Sequence, residues 1–288
     1  MSTPPFVRLP PGIEASTVVT SRGRFAALRA HPTMPRLGSV LLVPGFTGSK
    51  EDFIAVLHPL AAAGYEVLTY DQRGQYETAG PDDPSAYDLD ELATDLRSVA
   101  TTLGTPTHLL GHSFGGLVAR MAALQQPAAF ASLVLLDSGP AALPTEAERA
   151  RLTMLTSALA EHSAAAVWAA MQELARLEGR EGPADPDVAA FLQRRFLANS
   201  PTGLAAKAAH LLTEPDRVDA LAATGIPVLV AYGENEEAWP PSVQAEMARR
   251  LGASHAVIAG AAHSPNAEQP DAAAALMASF WDSRVRAD

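Results

Sequence analysis

One serine stands between two glycines in a setting that could do chemistry. The stretch GHSFGG places Ser113 between Gly111 and Gly115, after an apolar strand-like run and before a helix-like segment. A turn this sharp strains the serine backbone, and a Cβ at either glycine would collide with the adjoining strand and helix. The free N–H groups of the helix start, including that of Phe114, are then placed where an oxyanion would form. We predict a nucleophilic serine; the alternative is a small residue in an ordinary turn.

A serine hydroxyl needs a base before it can attack, and His263 is the best placed of the eight histidines. It follows the last strand-like run, in AAHSPN, so its loop should face the same sheet edge as Ser113. The other histidines are better interpreted as packed or solvated side chains: His31, His58, His108, His112, His162, His210 and His255. We therefore predict that His263 takes the proton of the serine.

Such a base needs a carboxylate that fixes its tautomer and stabilises the imidazolium. The residues offer several acids at this edge of the sheet. Three of them, Glu234, Glu236 and Glu237, lie in GENEEAWP, which follows a late strand-like run. A fourth, Asp137, ends an earlier strand-like run. Each could equally be a solvated loop charge, so the residues alone leave the acid open.

Apolar strand-like runs that alternate with helix-like segments predict the scaffold for these residues. Turn chemistry between two early runs, 16–20 and 24–30, predicts an edge hairpin. Further strands are predicted at 39–45, 65–71, 107–112, 132–137, 226–233 and 254–260, and helices at 51–63, 90–104, 115–126, 242–251 and 268–281. This alternation favours a mostly parallel sheet that is buried on both faces.

The alternation stops between residues 141 and 223, where proline and glycine separate several helix-like segments. We predict a helical cap at 141–223, inserted after the sixth strand into an α/β core of residues 1–140 and 224–288. Trp168 and Met171 are predicted to line an apolar substrate pocket. The alternative is that they form the core of the cap itself.

Composition excludes several classes of function. The net charge of −11 repels phosphate backbones, so nucleic acid is not an expected partner. The absence of cysteine excludes disulfides, thiolate zinc sites and cysteine nucleophiles. No glycine-rich phosphate loop or two-histidine metal spacing is present, so we predict no cofactor and no metal. Without a long apolar run or a signal-peptide pattern, we expect a cytoplasmic protein with no membrane span; the oligomeric state is left open.

Six segments together resemble the α/β-hydrolase fold family, and within it the capped esterases, lipases, haloperoxidase-like enzymes and C–C hydrolases. They follow the family order of nucleophile, acid and histidine and cover essentially the whole chain: VPGFTGS (43–49), DQRGQ (71–75), GHSFGG (111–116), LLDSGP (135–140), GENEEAWP (233–240) and AAHSPNAEQP (261–270). The resemblance implies an α/β fold with a mostly parallel central sheet, helices on both faces and a helical cap after the sixth core strand.

The resemblance also implies roles for particular residues. An oxyanion hole would use the backbone N–H groups of Phe114 and Phe46, where Phe46 follows a Pro-Gly pair instead of the usual His-Gly. The hydrogen bonds of that histidine are therefore lost. The acid position of the family falls on Glu236, three residues after a glycine and four before a proline, with Asp137 as the alternative acid. The QYET that follows DQRG departs from the usual Gly-x-Ser step.

Together these observations predict a serine hydrolase that cleaves an ester, lactone or thioester with an apolar acyl part through an acyl-enzyme. Three rival functions use the same fold. The same residues could carry out C–C bond hydrolysis, cofactor-free haloperoxidase or perhydrolase chemistry, or acyl transfer. A dehalogenase or epoxide hydrolase would need an aspartate at the position of Ser113. A non-enzymatic binding protein would lack a working serine and histidine.

Overall fold

Eight strands form a single sheet in the computed structural model, which describes residues 2–104, 106–179 and 182–285. Positions 1, 105 and 286–288 of the predicted core and 180–181 of the predicted cap lie outside these residues. The strands are β1 (Ile13–Thr20), β2 (Gly23–Ala30), β3 (Gly38–Val43), β4 (Tyr65–Tyr70), β5 (Thr107–His112), β6 (Phe130–Leu136), β7 (Val228–Gly233) and β8 (Ser254–Ile258).

The strands lie in the order β1-β2-β4-β3-β5-β6-β7-β8. The first two form an antiparallel hairpin, and β2 pairs antiparallel with β4. All the remaining pairs are parallel. The predicted edge hairpin and mostly parallel sheet are therefore confirmed.

Two apolar clusters cover the two faces of the sheet because neighbouring strand residues point to opposite sides. Leu41 of β3 joins one cluster, whereas Val40 and Leu42 join the other. The first face is covered by α2 (Leu89–Ala100), α3 (Phe114–Gln125), α8 (Val218–Ala223) and α9 (Pro241–Leu251), and the second by α1 (Ile54–Ala62) and α11 (Pro270–Val285). The predicted layering of helices on both faces is confirmed.

Between β6 and β7, the chain forms helices and, within the described residues, no strand. They are α4 (Glu146–Glu161), α5 (Ala164–Leu177), α6 (Pro186–Ala198), α7 (Pro201–Thr213) and the short α8. Residues of α5 and α6 form their own apolar cluster, whereas Leu211 of α7 and Leu221 of α8 join the cluster on the first face of the sheet. The helical insertion after the sixth strand is confirmed, and its division from the core as a separate domain stays a prediction.

Two buried arginines connect this insertion to the core. Arg195 of α6 donates from Nη1 to Asp52 Oδ1 at 2.6 Å, and both side chains are fully buried. Arg120 of α3 donates to Glu214, which follows α7, at 3.0 Å. A buried charge is tolerated only when it is paired and hydrogen-bonded, so these contacts fix where α6 and the end of α7 meet the core.

Some predicted boundaries differ from the structure. The helix predicted at 51–63 begins with a 3₁₀ turn, Lys50–Phe53, before α1. The helix predicted at 268–281 is a short helix α10 (Pro265–Glu268) followed by α11, because Pro270 starts a new helix at its first position. A further 3₁₀ turn at Pro84–Tyr87 falls in a stretch rich in proline and aspartate that gave no periodic signal.

The strand order reverses between β3 and β5. After β3 the chain moves to β4 on one side, and β5 then returns to the other side of β3. Crevices at the carboxyl ends of strands at such a switch point are the usual ligand sites of open α/β sheets. Ser113 directly follows β5 and the Pro44–Phe46 loop directly follows β3, so both lie at this crevice.

Candidate active site

Ser113 occupies a strained turn between β5 and α3. Its φ is 54° and its ψ is −124°, a conformation that L-residues adopt rarely and that costs on the order of 1–3 kcal/mol. A Cβ at Gly111 would overlap the backbone of Gly115 and Gly116, and a Cβ at Gly115 would overlap the carbonyl groups that end β3. The predicted steric need for glycine at both positions is confirmed.

The side chains of Ser113, His263 and Glu236 form one hydrogen-bonded chain. His263 Nε2 lies 3.0 Å from Ser113 Oγ, and His263 Nδ1 lies 2.6 Å from Glu236 Oε2. The three residues come from the loops after β5, β7 and β8, which meet at one sheet edge. In this arrangement the imidazole can accept the serine proton at Nε2 while Nδ1–H donates to a carboxylate.

Glu236 is held as a carboxylate acceptor. Its side chain is fully buried, and Oε1 accepts hydrogen bonds from the backbone N–H groups of Ala238 at 2.5 Å and Trp239 at 3.1 Å. Burial by itself would raise the pKa of Glu236, but the hydrogen bond and the charge of His263, followed by Asp137 and the N–H of Trp239, lower this pKa below its ordinary value.

The loop after β3 packs directly against the serine. A Cβ at Gly45 would lie 3.2 Å from the Cβ of Ser113. Two buried glutamines fix this loop by its carbonyl groups: Gln72 Nε2 donates to Pro44 at 2.8 Å, and Gln75 Nε2 donates to Gly45 at 2.7 Å and Phe46 at 3.1 Å. Sequence reasoning missed both glutamines, although Gln75 stands in the segment that departs from the family pattern.

Because the two glutamines bind the carbonyl groups of this loop, its N–H groups can face in a different direction. In the part of the chain that the structure describes, the N–H groups of Phe46 and Phe114 donate to no acceptor. Phe114 is the first residue of α3, where such a free donor is expected. The two predicted oxyanion residues therefore flank Ser113 with unused donors, and their role stays a prediction.

A sequence profile of the alpha/beta hydrolase family matches residues 40–276. The chain belongs to the alpha/beta hydrolase family. The match covers most of the chain, including β3 to β8 and the whole helical insertion. The predicted family is thereby confirmed, and the hydrolase carries the three hydrogen-bonded side chains in the family order.

Three known proteins illustrate what this hydrolase is similar to. A protein of Variovorax paradoxus with the provisional name carbamate hydrolase RutD is 38% identical over 120 residues, which are 41% of the hydrolase and 45% of that relative. A pimeloyl-[acyl-carrier protein] methyl ester esterase of Neisseria meningitidis is 29% identical over 269 residues, 88% and 97% of the two chains. The crystal structure of a hydrolase from Pseudomonas aeruginosa superposes with a TM-score of 0.74 at 26% identity, covering 93% and 98% of the chains. The hydrolase thus spans less than half of the first relative and nearly all of the other two.

The loop of His263 in this hydrolase is held from both sides. His112 Nε2 lies 2.6 Å from the carbonyl oxygen of His263, and burial, followed by the nearby His263, lowers the pKa of His112 to about 3. The neutral His112 ring therefore donates from Nε2. On the other side, the Glu268 carboxylate accepts the N–H groups of Ala262 and, at 3.0 Å, Ser264. Sequence reasoning treated His112 as a packed neighbour and gave no signal for Glu268.

Asp137, the alternative acid, lies beside Glu236. It is fully buried at the end of β6 with a φ of 45°, and its Oδ1 accepts the N–H of Gly233 at 2.9 Å. It makes no hydrogen bond to His263, which bonds to Glu236 instead. The structure therefore brings both acids to the site and gives only Glu236 the contact with the imidazole.

Trp168 and Met171 lie in the apolar cluster of the insertion. Trp168 packs against Phe196 with ring centroids 5.4 Å apart, and Met171 is a partly buried neighbour in the same cluster. Phe191 of this cluster also packs edge-on against Tyr76 at 5.5 Å, next to the glutamine that holds the loop after β3. This packing agrees with the alternative that these residues form a core of the insertion, and their contact with substrate stays a prediction.

One group of described side chains has the spacing of metal ligands. Atoms of Asp137, Glu236 and His263 lie within 4.8 Å of one another. His263 Nδ1 and Glu236 Oε2 already bond to each other, so a cation here would have to break the contact that orients the imidazole.

Among the described residues, no helix combines the length and apolarity needed to cross a membrane.

Replacing Glu236 with glutamine should lower turnover at least about 100-fold, because an amide neither stabilises the imidazolium nor enforces the Nδ1–H tautomer. Glu237→Gln is the matched control, since Glu237 is an exposed acid on the same loop, and it should cost less than about tenfold. Turnover of the two purified variants on one ester decides the matter. Near-normal turnover in Glu236→Gln would remove Glu236 from the site.

Proposed function

We propose that this hydrolase cleaves an ester, lactone or thioester with an apolar acyl part through a covalent acyl-enzyme. Ser113 is the nucleophile, His263 the general base and acid, and Glu236 the carboxylate that orients the imidazole. The observation that carries the proposal is the hydrogen-bonded chain of these three side chains, at 3.0 Å and 2.6 Å, on a strained turn at the switch point of the sheet.

Acylation follows from the positions of the atoms. Ser113 Oγ attacks the acyl carbon as its proton passes to His263 Nε2, and the carbonyl oxygen becomes an oxyanion that the N–H groups of Phe46 and Phe114 stabilise. Glu236 stabilises the imidazolium without taking its proton. When the tetrahedral intermediate collapses, the bond to the leaving alcohol or thiol breaks and His263 returns the proton to that group.

Deacylation repeats the same steps with water. His263 Nε2 takes a proton from water as its oxygen attacks the acyl carbon, and the second oxyanion lies between the same two N–H groups. Collapse of this intermediate breaks the bond to Ser113 Oγ, which regains its proton from His263. The carboxylic acid leaves and the starting state is restored, so one ester and one water give one acid and one alcohol.

The relatives support a hydrolytic reaction at an acyl carbon. The methyl ester esterase aligns over nearly its whole length, and its name describes cleavage of an ester. The Variovorax paradoxus relative carries a carbamate hydrolase name, and a carbamate also offers a carbonyl carbon to a serine. Phe46, which follows the Gly45 that packs against Ser113, and the apolar cluster of the insertion favour an apolar acyl group.

A panel of acyl substrates tests the proposal. The purified protein is assayed on p-nitrophenyl esters from acetyl to dodecanoyl, on a lactone series and on matched thioesters, with water, alcohols or hydrogen peroxide as acceptor. We expect hydrolysis with an initial burst of nitrophenol, which reports an accumulating acyl-enzyme. Absence of turnover and burst on all three substrate classes would overturn the proposal, and a preference for alcohol or peroxide as acceptor would replace hydrolysis with transfer or perhydrolysis.

We further propose that residues 141–223 act as a cap over the site, with Trp168 and Met171 as a distant wall of the acyl pocket. Contact of Phe191 with Tyr76 places the apolar cluster of the insertion next to the loop that carries Gln75, and Gln75 holds Phe46. A change in this cluster should therefore reach the space in front of Ser113.

Trp168→Ala should lower the free energy of unfolding by about 3 kcal/mol, because the buried ring leaves a cavity. It should also shift the preference among acyl lengths towards longer chains, since the wall recedes. Leu177→Ala is the control on the same helix, because Leu177 is 68% exposed, and it should change neither quantity. A destabilised but folded Trp168→Ala variant with unchanged acyl preference would show that Trp168 is a core residue of the insertion and no part of the pocket.

A further inference from the structure

Two carboxyl groups share one buried space at the end of β6 and β7. Asp137 is fully buried and Glu236 is 4% exposed, and a carboxyl oxygen of each lies within 4.8 Å of the other. Two carboxylates this close and shielded from water repel each other strongly, because the protein interior screens charge far less than water does. This repulsion favours a state in which the pair holds one proton.

The surrounding donors decide which group holds this proton. Glu236 accepts hydrogen bonds from Ala238, Trp239 and His263, all of which favour its charged form. Asp137 accepts one, from Gly233 to Oδ1, and its Oδ2 is buried without a conventional donor or acceptor partner. A proton on Oδ2 satisfies that atom and supplies the missing donor between the two groups.

We propose that Asp137 is a protonated positioning residue whose Oδ2–H donates to the Glu236 carboxylate and keeps it oriented towards His263. The inference rests on the proposed function of Glu236. It adds Asp137 as a fourth residue to Ser113, His263 and Glu236. The proton stays on Asp137 through the reaction, so no atom is exchanged and no charge moves beyond the imidazole.

The other groups that face Asp137 favour its neutral form. Burial, followed by the hydrogen bond and the charge of Glu236, raises the pKa of Asp137 well above its ordinary value, and the charge of Glu268 on α10 acts in the same direction. The N–H of Gly233 at the end of β7 opposes this shift without reversing it. His263, on the loop before α10, has a ring nitrogen within 4.8 Å, but its Nδ1 bonds to Glu236.

Two substitutions separate the hydrogen bond from the charge. Asp137→Ala removes the donor, so turnover should fall about tenfold, and the more basic Glu236 should move the acid limb of the kcat/KM profile to higher pH. Asp137→Asn keeps a donor in place of O–H and an acceptor for Gly233. It should restore turnover to within about threefold of the wild type and return the acid limb to its wild-type position.

An ionised Asp137 would give a different profile. Asp137→Asn would then remove a negative charge close to His263, and the acid limb would move to lower pH by about one unit or more. That shift would overturn the proposal. Full turnover with an unchanged profile in Asp137→Ala would also overturn it, because the donor would then position nothing.

Two measurements test the proton without any substrate, and so remain informative if the proposed reaction is wrong or if the alanine variant does not fold. The infrared difference spectrum between wild type and Asp137→Asn at neutral pH should contain the C=O band of a protonated carboxyl group. Asp271→Asn, at an exposed aspartate of α11, should show the band of a carboxylate instead. A carboxylate band from Asp137 would overturn the proposal.

The unfolding temperature gives the second measurement. In the unfolded chain Asp137 ionises near pH 4, whereas in the folded chain it keeps its proton, so above that pH the folded state binds more protons and loses stability as pH rises. Asparagine has no proton to lose. The melting temperature of Asp137→Asn relative to wild type should therefore rise steadily from about pH 4 to about pH 8; a pH-independent difference would contradict a proton held on Asp137.

Discussion

Ester hydrolysis should fall about 10⁴-fold or more when Ser113 is replaced by alanine. The loss is expected to be this large because in the proposed mechanism this hydroxyl forms the covalent bond to the acyl carbon, and no other nucleophile in the described chain shares the 3.0 Å contact with His263 Nε2. The fold should be intact, since alanine removes one oxygen atom and keeps the Cβ that the strained turn already accommodates. Turnover and melting temperature of the purified variant measure the two effects.

A fluorophosphonate probe checks the same assignment in the wild-type protein. It should modify Ser113 and nothing in the Ser113→Ala variant, as read from the labelled peptide by mass spectrometry. The two nearby serines, Ser138 and Ser264, are controls, because the contact with His263 Nε2 is made by Ser113 Oγ. Labelling of either of these in the wild type would reassign the nucleophile.

Replacing His263 with alanine should cost about as much as removing the serine, about 10⁴-fold, because the two side chains act as one unit. Without the imidazole, Ser113 keeps its proton and the leaving group receives none. Phosphonate labelling of Ser113 should slow in parallel, which distinguishes loss of the base from loss of substrate binding. Added imidazole should recover part of the activity, since the vacated space lies between a hydroxyl and a carboxylate.

His58→Ala provides the matched histidine control. His58 is exposed on α1, on the far side of the sheet from the helix that follows Ser113, so its removal should leave turnover and labelling unchanged. If His263→Ala kept more than about a tenth of wild-type turnover, another group would have to be the base. The buried His112 would then be the next residue to replace.

Patterns that are local in sequence predicted much of this protein. Runs such as those of β3 and β7 are apolar throughout because both faces of the sheet are covered, and the insertion was recognisable because its strand signal stops. Gly111 and Gly115 marked the turn through sterics that act within a few residues. Loops after parallel strands share one edge, which led from the position of His263 to its proximity to Ser113.

Contacts that join distant segments without a repeating pattern were beyond prediction. The amide of Gln75 reaches the loop of Gly45 and Phe46 across 30 residues, and no periodicity records such a contact. Asp137 and Glu236 were weighed as alternatives, whereas the structure places them together. Spacing shows which acids reach a sheet edge, but it predicts neither the approach of these two carboxyl groups to within 4.8 Å nor the φ of 45° at Asp137.

The separation of Ser113 from His263 by 150 residues has a consequence for the folding of the chain. Contacts this remote in sequence close late, because loop-closure entropy opposes them until most of the sheet has formed. A chain in which β5 and α3 had formed and β7 and β8 had not would hold the serine without the histidine. If the proposed roles of Ser113 and His263 are correct, we expect the chain to react with esters only once the sheet is complete.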